Sequence, residues 1–360
     1  MVVKKAISII GTVGVPAKYG GFETLTEYLT FNLGCDHDMT VFCSSKNYTV
    51  KLDMHNNAKL KYINLKANGF QSIPYDIISI IKSLKFSETL LILGVSGCLI
   101  LPVVKLFSNK KILVNIDGLE WKRAKWGKFA KWFLKFSEKI AVKYADEIIT
   151  DNFVLKEYVK EEYKVDSILI AYGADHVTNE ALDEDILKKY SFLNDKYSFK
   201  VCRIEPENNI HIILEAFSNS ITNNFVLVGN WENSDYGKKL KVKYNAFKNI
   251  FLLDPIYNQK TLNQLRSNCH IYIHGHSAGG TNPSLVEAMY LKLPIFAFGA
   301  KYNKETTGYK ASYFDNELEL KELLENNNSE ELSIIADEMK MIAKENYTWK
   351  IISDKYSKLF

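Results

Sequence analysis

Cysteine is sparse in this chain and badly arranged for cross-linking. The five residues, Cys35, Cys43, Cys98, Cys202 and Cys269, are scattered, odd in number and form no C-x-x-C pair. That argues against a disulfide framework and a cysteine zinc site, and it suits a reducing cytosol. Long hydrophobic runs are missing too. The most apolar stretch, 89–104, is too short to span a bilayer and is broken by Gly94, Gly97 and Pro102, so it reads as a strand and a buried helix. The opening Met-Val-Val-Lys-Lys passes straight into a strand-like AISII, which is not the pattern of a signal peptide. No Asp-x-Asp pair or histidine cluster suggests a metal, and no G-x-G-x-x-G suggests a nicotinamide cofactor. Short-period repeats and low-complexity tracts are also lacking.

What the chain has is length and alternation. Its 360 residues, 47% of them apolar, suffice for two domains with filled cores. Net charge is +4, but residues 1–172 carry a balance of +7 and the remainder −3, so an anionic partner is expected on the N-terminal half. Strand-like runs at 6–10, 40–44, 59–65, 90–94, 111–116, 147–150 and 167–171 alternate with amphipathic segments. A second series follows at 199–202, 225–229, 250–253, 270–274 and 294–298. Such alternation predicts two α/β domains, each a doubly wound parallel sheet, facing a central cleft that binds ligand. The expected division is a domain at 1–172, a polar linker at 173–197, a second domain at 198–345 and a terminal helix at 346–360 returning to the first domain. That helix carries Trp349, Ile352 and Tyr356 on one side.

Three stretches hold the candidate chemistry. In GTVGVPAKYGGFETLTEYL, glycines 11, 14, 20 and 21 precede a helix, a setting for phosphate or simply for a tight turn. In HGHSAGGTNPSLVEAM, Asn282 and Pro283 are expected to cap and open a helix whose free first-turn amides favour an anion. Glu287 lies one turn in, either a ligand for hydroxyls or a solvated surface residue. Arg203 follows a strand in FKVCRIEPENN and is suited to phosphate oxygens. The third stretch, IDGLEWKRAKWGKFAKWFLKF, places Asp117 after a strand. Six basic residues and no acid then lie between Lys122 and Lys135, interleaved with aromatics. Trp121, Lys122, Arg123, Trp126 and Trp132 fit contact with an anionic membrane surface or an acceptor; core packing and nucleic acid are the alternatives.

These motifs together resemble the group-1 (family 4) nucleotide-sugar glycosyltransferases with two Rossmann-like domains, the GT-B type. They are most similar to a bacterial rhamnosyltransferase branch of capsule and cell-wall polysaccharide synthesis. The resemblance runs from IIGTVGVPAKYGGFET through IDGLEWKRAKW, RIEPENNI and HGHSAGGTNPSLVEAM to YNKETTGYKASYF. It implies that Gly20 and Gly21 approach the donor phosphate, Arg203 neutralises the departing diphosphate, and Glu287 holds the ribose. It likewise implies that Asn208, Gly279, Gly280, Thr281, Asn282 and Ser284 line the donor, with Asp117 where the wider family has a histidine. Three departures mark the chain: Gly279 replaces the first of two glutamates eight positions apart, Asn208 replaces a lysine, and Cys202 replaces a glycine.

The expectation is therefore retaining transfer of a hexosyl group, L-rhamnose from dTDP-L-rhamnose, to a lipid-linked saccharide. It places the enzyme in the cytoplasm at the inner face of the plasma membrane, with no metal, no cofactor and no nucleic acid. A nucleotide-sugar epimerase or phosphorylase of the same fold, or a non-enzymatic peripheral membrane protein, is the alternative.

Overall fold

The apolar runs of the sequence become the strands of two sheets in the computed structural model, which describes residues 4–18, 20–116, 118–122, 127–220 and 223–360. The chain divides into two units, one formed by Met1–Gly173 with Trp349–Phe360, the other by Ala174–Thr348.

The first unit contains β1 (Ala6–Ile10), β2 (Asp38–Ser44), β3 (Met54–His55), β4 (Ala58–Ile63), β5 (Thr89–Leu93), β6 (Lys111–Ile116), β7 (Glu147–Thr150) and β8 (Ile168–Leu169). Their spatial order is β3-β4-β2-β1-β5-β6-β7-β8, parallel except for the β3–β4 pair. Ile9 faces Val41 on one side and Leu91 on the other, and all three are fully buried. Strands covered on both faces need no polar alternation, which is why they read as continuous apolar runs. Chain order reverses between β1 and β5, making the loops after these strands the switch point where open α/β sheets take ligands.

The second unit contains β9 (Tyr197–Val201), β10 (Asn224–Val228), β11 (Ile250–Leu253), β12 (Ile271–His274), β13 (Ile295–Phe298) and β14 (Ser312–Phe314), in the all-parallel order β11-β10-β9-β12-β13-β14. Its switch point lies between β9 and β12. The apolar residues Ile210, Ile213, Leu214 and Phe217 of the helix Ile210–Ser218 are buried in one core with Phe225, Leu227, Ile271 and Ile273.

Several sequence expectations shift. The short edge strands β3 and β14 carry no β-branched run and were not foreseen. The expected strand 167–171 shrinks to Ile168–Leu169. The helix after β5, Leu101–Phe107, is only partly buried, with Val103, Leu106 and Phe107 exposed.

The polar segment 173–197 is no loose linker. From Ala174 onward it belongs to the second unit, where it is laced to the helix Gln259–Ser267 and the residue after it. Gln264 Nε2 donates to Ala181 O at 2.8 Å and Asp183 Oδ2 at 3.0 Å, and Asn268 Nδ2 donates to Glu180 O at 2.7 Å. Its polarity serves these bonds and the Asp183 cap of the helix Glu184–Lys189. The second unit runs on to Thr348, past the expected end at 345, and the first resumes at Trp349.

The last helix, Trp349–Leu359, buries Trp349, Ile352 and Tyr356 in the first unit. The Trp349 ring stacks on Tyr28 at 4.5 Å, and Asn115 Nδ2 donates to Tyr356 Oη at 2.8 Å. A Cβ at Gly173 would lie 2.3 Å from the Trp349 ring, so glycine is required where the chain leaves this unit.

Candidate functional site

The two loops at the second unit's switch point are stitched together by their own residues. Ser277 N donates to Glu207 O at 2.8 Å, and Asn209 Nδ2 donates to Gly275 O at 3.0 Å. Asn208 Oδ1 lies 3.2 Å from His276 Nδ1, while Asn208 Nδ2 donates to Arg203 O at 2.9 Å. From a third side, Asn303 Nδ2 donates to His276 O at 2.7 Å and Phe298 O at 2.8 Å. The YNKETTG stretch thus buttresses the loop after β12. Asn208 is buried with both ends of its amide engaged, so it braces the loop.

Arg203, by contrast, is half-exposed, and its nearest acid is Glu205 at 3.9 Å, too distant for a firm pair. Its guanidinium is available to an incoming anion.

Asn282 caps the helix Pro283–Tyr290 as expected, its Oδ1 accepting from Ser284 N at 3.0 Å and from Ser284 Oγ at 2.8 Å. Leu285 N donates to Asn282 O at 3.0 Å. The expectation of free first-turn amides is therefore corrected: the cap consumes them. Open donors sit one step earlier. Among the described residues, no hydrogen-bond acceptor meets the amides of Gly279, Gly280 or Asn282. Thr281 lies between them and is buried. Gly279 has φ +119, a region that L side chains rarely occupy, and an added Cβ would sit 3.2 Å from His276 Nε2. The backbone at Gly279 is thus one that only glycine adopts without strain.

Glu287 is neither solvated nor alone. Its Oε2 accepts from Arg266 Nη1, and its Oε1 lies 3.2 Å from His176 Nε2. Burial would push its carboxyl upward, but Arg266 and His176 outweigh it and hold the group well below the usual range, at about 2. The surface-glutamate reading is excluded. Sequence reasoning missed both partners. Arg266 falls four residues after Leu262 on an amphipathic helix, and a charge near an apolar stripe was the available signal.

In the first unit the glycine loop after β1 is held by carboxylates of the helix that follows it, Gly21–Leu33. Glu23 Oε1 accepts from Val13 N at 2.8 Å, and Glu27 Oε2 accepts from Ala17 N at 2.9 Å. Gly20 has φ +142, and a Cβ there would meet Glu23 Oε2 at 1.9 Å. A carboxylate beside Gly20 repels phosphate and attracts hydroxyls, which runs against the expected phosphate contact of Gly20 and Gly21.

The basic, aromatic helix forms as Lys128–Tyr144. Phe129 is 74% exposed, Trp132 61% and Phe136 43%, so these rings do not pack into the core. Trp132 stacks on Phe136 at 5.7 Å and 2°, and Phe129 follows at 5.9 Å. Trp121 behaves differently: it is half-buried, with Lys135 Nζ 4.9 Å from its ring, while Lys122 is exposed. Asp117, Arg123 and Trp126 lie outside the described residues.

Residues 183–331 match the family model described as glycosyl transferases group 1, and residues 4–175 match a domain of unknown function, DUF1972. An uncharacterized glycosyltransferase of Methanocaldococcus jannaschii is 23% identical over 380 aligned positions, covering 95% of this chain and 94% of its own. Among solved structures, sucrose-phosphate synthase from Thermosynechococcus elongatus superposes with a TM-score of 0.82 at 14% identity, covering 99% of this chain and 98% of the other. HepE of Anabaena, in complex with UDP-glucose, gives 0.76 at 13% identity, with 98% of each chain covered. At such identities the structural likeness concerns the fold: a two-domain, GT-B-like α/β architecture with parallel sheets.

Proposed function

We propose that this chain, a glycosyltransferase whose residues 183–331 match the group 1 family model, transfers a hexosyl group from a nucleoside diphosphate sugar to a hydroxyl of a lipid-linked saccharide. The donor of this proposal is dTDP-L-rhamnose, the transfer retains configuration at the anomeric carbon, and the enzyme works at the inner face of the plasma membrane. One observation supports a diphosphate-bearing donor: an uncommitted guanidinium, Arg203, and the open amides of Gly279, Gly280 and Asn282 stand on two loops bound to each other at one switch point.

The chemistry follows from where charge develops. Breaking the bond between the anomeric carbon and the diphosphate leaves negative charge on the departing oxygens. The loop amides are held in place for that charge, the uncommitted Arg203 is available to it, and the helix Pro283–Tyr290 adds the positive end of its dipole. Glu287, held ionised, accepts hydrogen bonds from hydroxyls of the donor. The adjoining exposed rings of Phe129, Trp132 and Phe136, with Lys128 and Lys131 alongside, support contact with an anionic bilayer that presents the acceptor.

A second donor, UDP-glucose, draws support from the ligand of the Anabaena structure. A thermal-shift panel with dTDP-L-rhamnose, UDP-glucose and GDP-mannose separates them. A true donor at a hundred times its Kd stabilises the protein by about 2.7 kcal/mol, raising Tm by several degrees. The expected winner is dTDP-L-rhamnose. A larger shift with UDP-glucose reverses the donor, and no shift with any of them removes the transferase site from these loops. Product analysis without acceptor tests the epimerase alternative, which releases altered sugar nucleotide.

A further inference from the structure

We infer that Arg266 and His176 are positioning residues for the donor: they hold the Glu287 carboxylate in place to accept donor hydroxyls. This rests on the reading of Glu287 as a donor-binding group.

Arg266 lies on the helix Gln259–Ser267 and is wholly buried, so it can act on a ligand only through another side chain. Its Nη1 donates to Glu287 Oε2 and its Nη2 to Asn263 Oδ1 at 3.0 Å. Asn263 is fixed in turn, receiving Gln259 Nε2 at 3.1 Å and donating to Thr178 Oγ1 at 3.3 Å. His176 approaches the other carboxylate oxygen at 3.2 Å from the segment that opens the second unit. Both oxygens of Glu287 are therefore tethered, yet each keeps a lone pair for a further hydrogen bond.

An ion pair in such a place is poor economy for stability alone. Desolvating a guanidinium costs several kcal/mol, and apolar residues of similar volume often serve as well or better. What distinguishes this pair is its location. Glu287 sits one turn into the helix opened by the Gly279–Asn282 loop, and the carboxylate is partly exposed while its partner is not. The buried partner thus fixes an accessible acceptor. The groups facing Glu287 are Arg266 from its helix, His176 from the opening segment and Tyr272 from β12. Of these, Arg266 is the permanent cation. Without it, burial dominates and the carboxyl protonates at a higher pH. A protonated carboxyl has lost its acceptor character on one oxygen.

The test is the pH dependence of donor kinetics in Arg266→Met, Arg266→Lys and His176→Gln, with Glu287→Ala as reference. Wild type should hold a flat donor kcat/KM from about pH 5 to 8. Arg266→Met should raise donor KM about tenfold with a smaller change in kcat, and show an acid limb within that window. Arg266→Lys should restore most of both, and His176→Gln should raise KM about threefold with no acid limb. A flat profile and wild-type KM in Arg266→Met overturn the inference while leaving Glu287 a donor ligand, provided Glu287→Ala raises KM. Wild-type donor KM in Glu287→Ala overturns both. Should Arg266→Met fail to fold, His176→Gln decides, and an unchanged KM there counts against the inference.

Discussion

At the scale of single residues, Arg203 and Glu287 divide the work by how tightly they are held. Arg203 is half-exposed with its nearest carboxylate at 3.9 Å, so little of the fold depends on it. Arg203→Ala should lower kcat about a hundredfold or more, the usual cost of removing one preorganised donor to a developing charge, with Tm unchanged within a degree or so. Steady-state rates beside a melting curve check this, and a variant turning over at the wild-type rate discards the phosphate-clamp role. An arginine directly after a strand was readable in the sequence. The partners of Glu287 were not, because His176 and Arg266 are distant along the chain and meet it only across folded elements.

At the scale of elements, the helix Lys128–Tyr144 shows what periodicity conveys and what it leaves open. Its apolar and basic spacing made a helix legible, yet Phe129, Trp132 and Phe136 suited a core as well as a surface. Packing decided: the buried side is Ser137, Glu138, Ala141 and Val142, and the rings stack outward. Trp132→Ser combined with Phe136→Ser should cut binding to vesicles containing anionic lipid at least fivefold, by loss of buried apolar area, with little change in Tm. Sedimentation with vesicles reads this, and undiminished partitioning removes the membrane role. The helix Pro283–Tyr290 was better specified, since Asn-Pro fixes cap and first residue locally, and both stand where the sequence put them.

At the scale of the molecule, the closing helix binds the chain's end to its beginning. Trp349 stacks on Tyr28, Tyr356 receives Asn115, and Lys5 Nζ donates to Phe360 O at 2.7 Å. Trp349→Ala should destabilise the first unit by roughly 3–5 kcal/mol, as large-to-small changes in cores do, visible as a lowered denaturation midpoint. A midpoint shift below about 1 kcal/mol would mean the helix adds little. The sequence identified the helix and its apolar side. For the segment 173–197, polar composition describes a surface linker and a backbone-bonded strap equally well, and folding makes it the latter.

The sequence by itself determined the strand–helix alternation, the two-sheet architecture, the capped helix after the glycine loop and the strand-end arginine. Each is a local property of spacing and residue type. Tertiary structure alone decided that Asn208 braces a loop, that Glu287 is gripped by Arg266 and His176, and that carboxylates occupy the first glycine loop. Those outcomes depend on which side chains burial forces together, and a buried charge takes its role from neighbours remote in the chain.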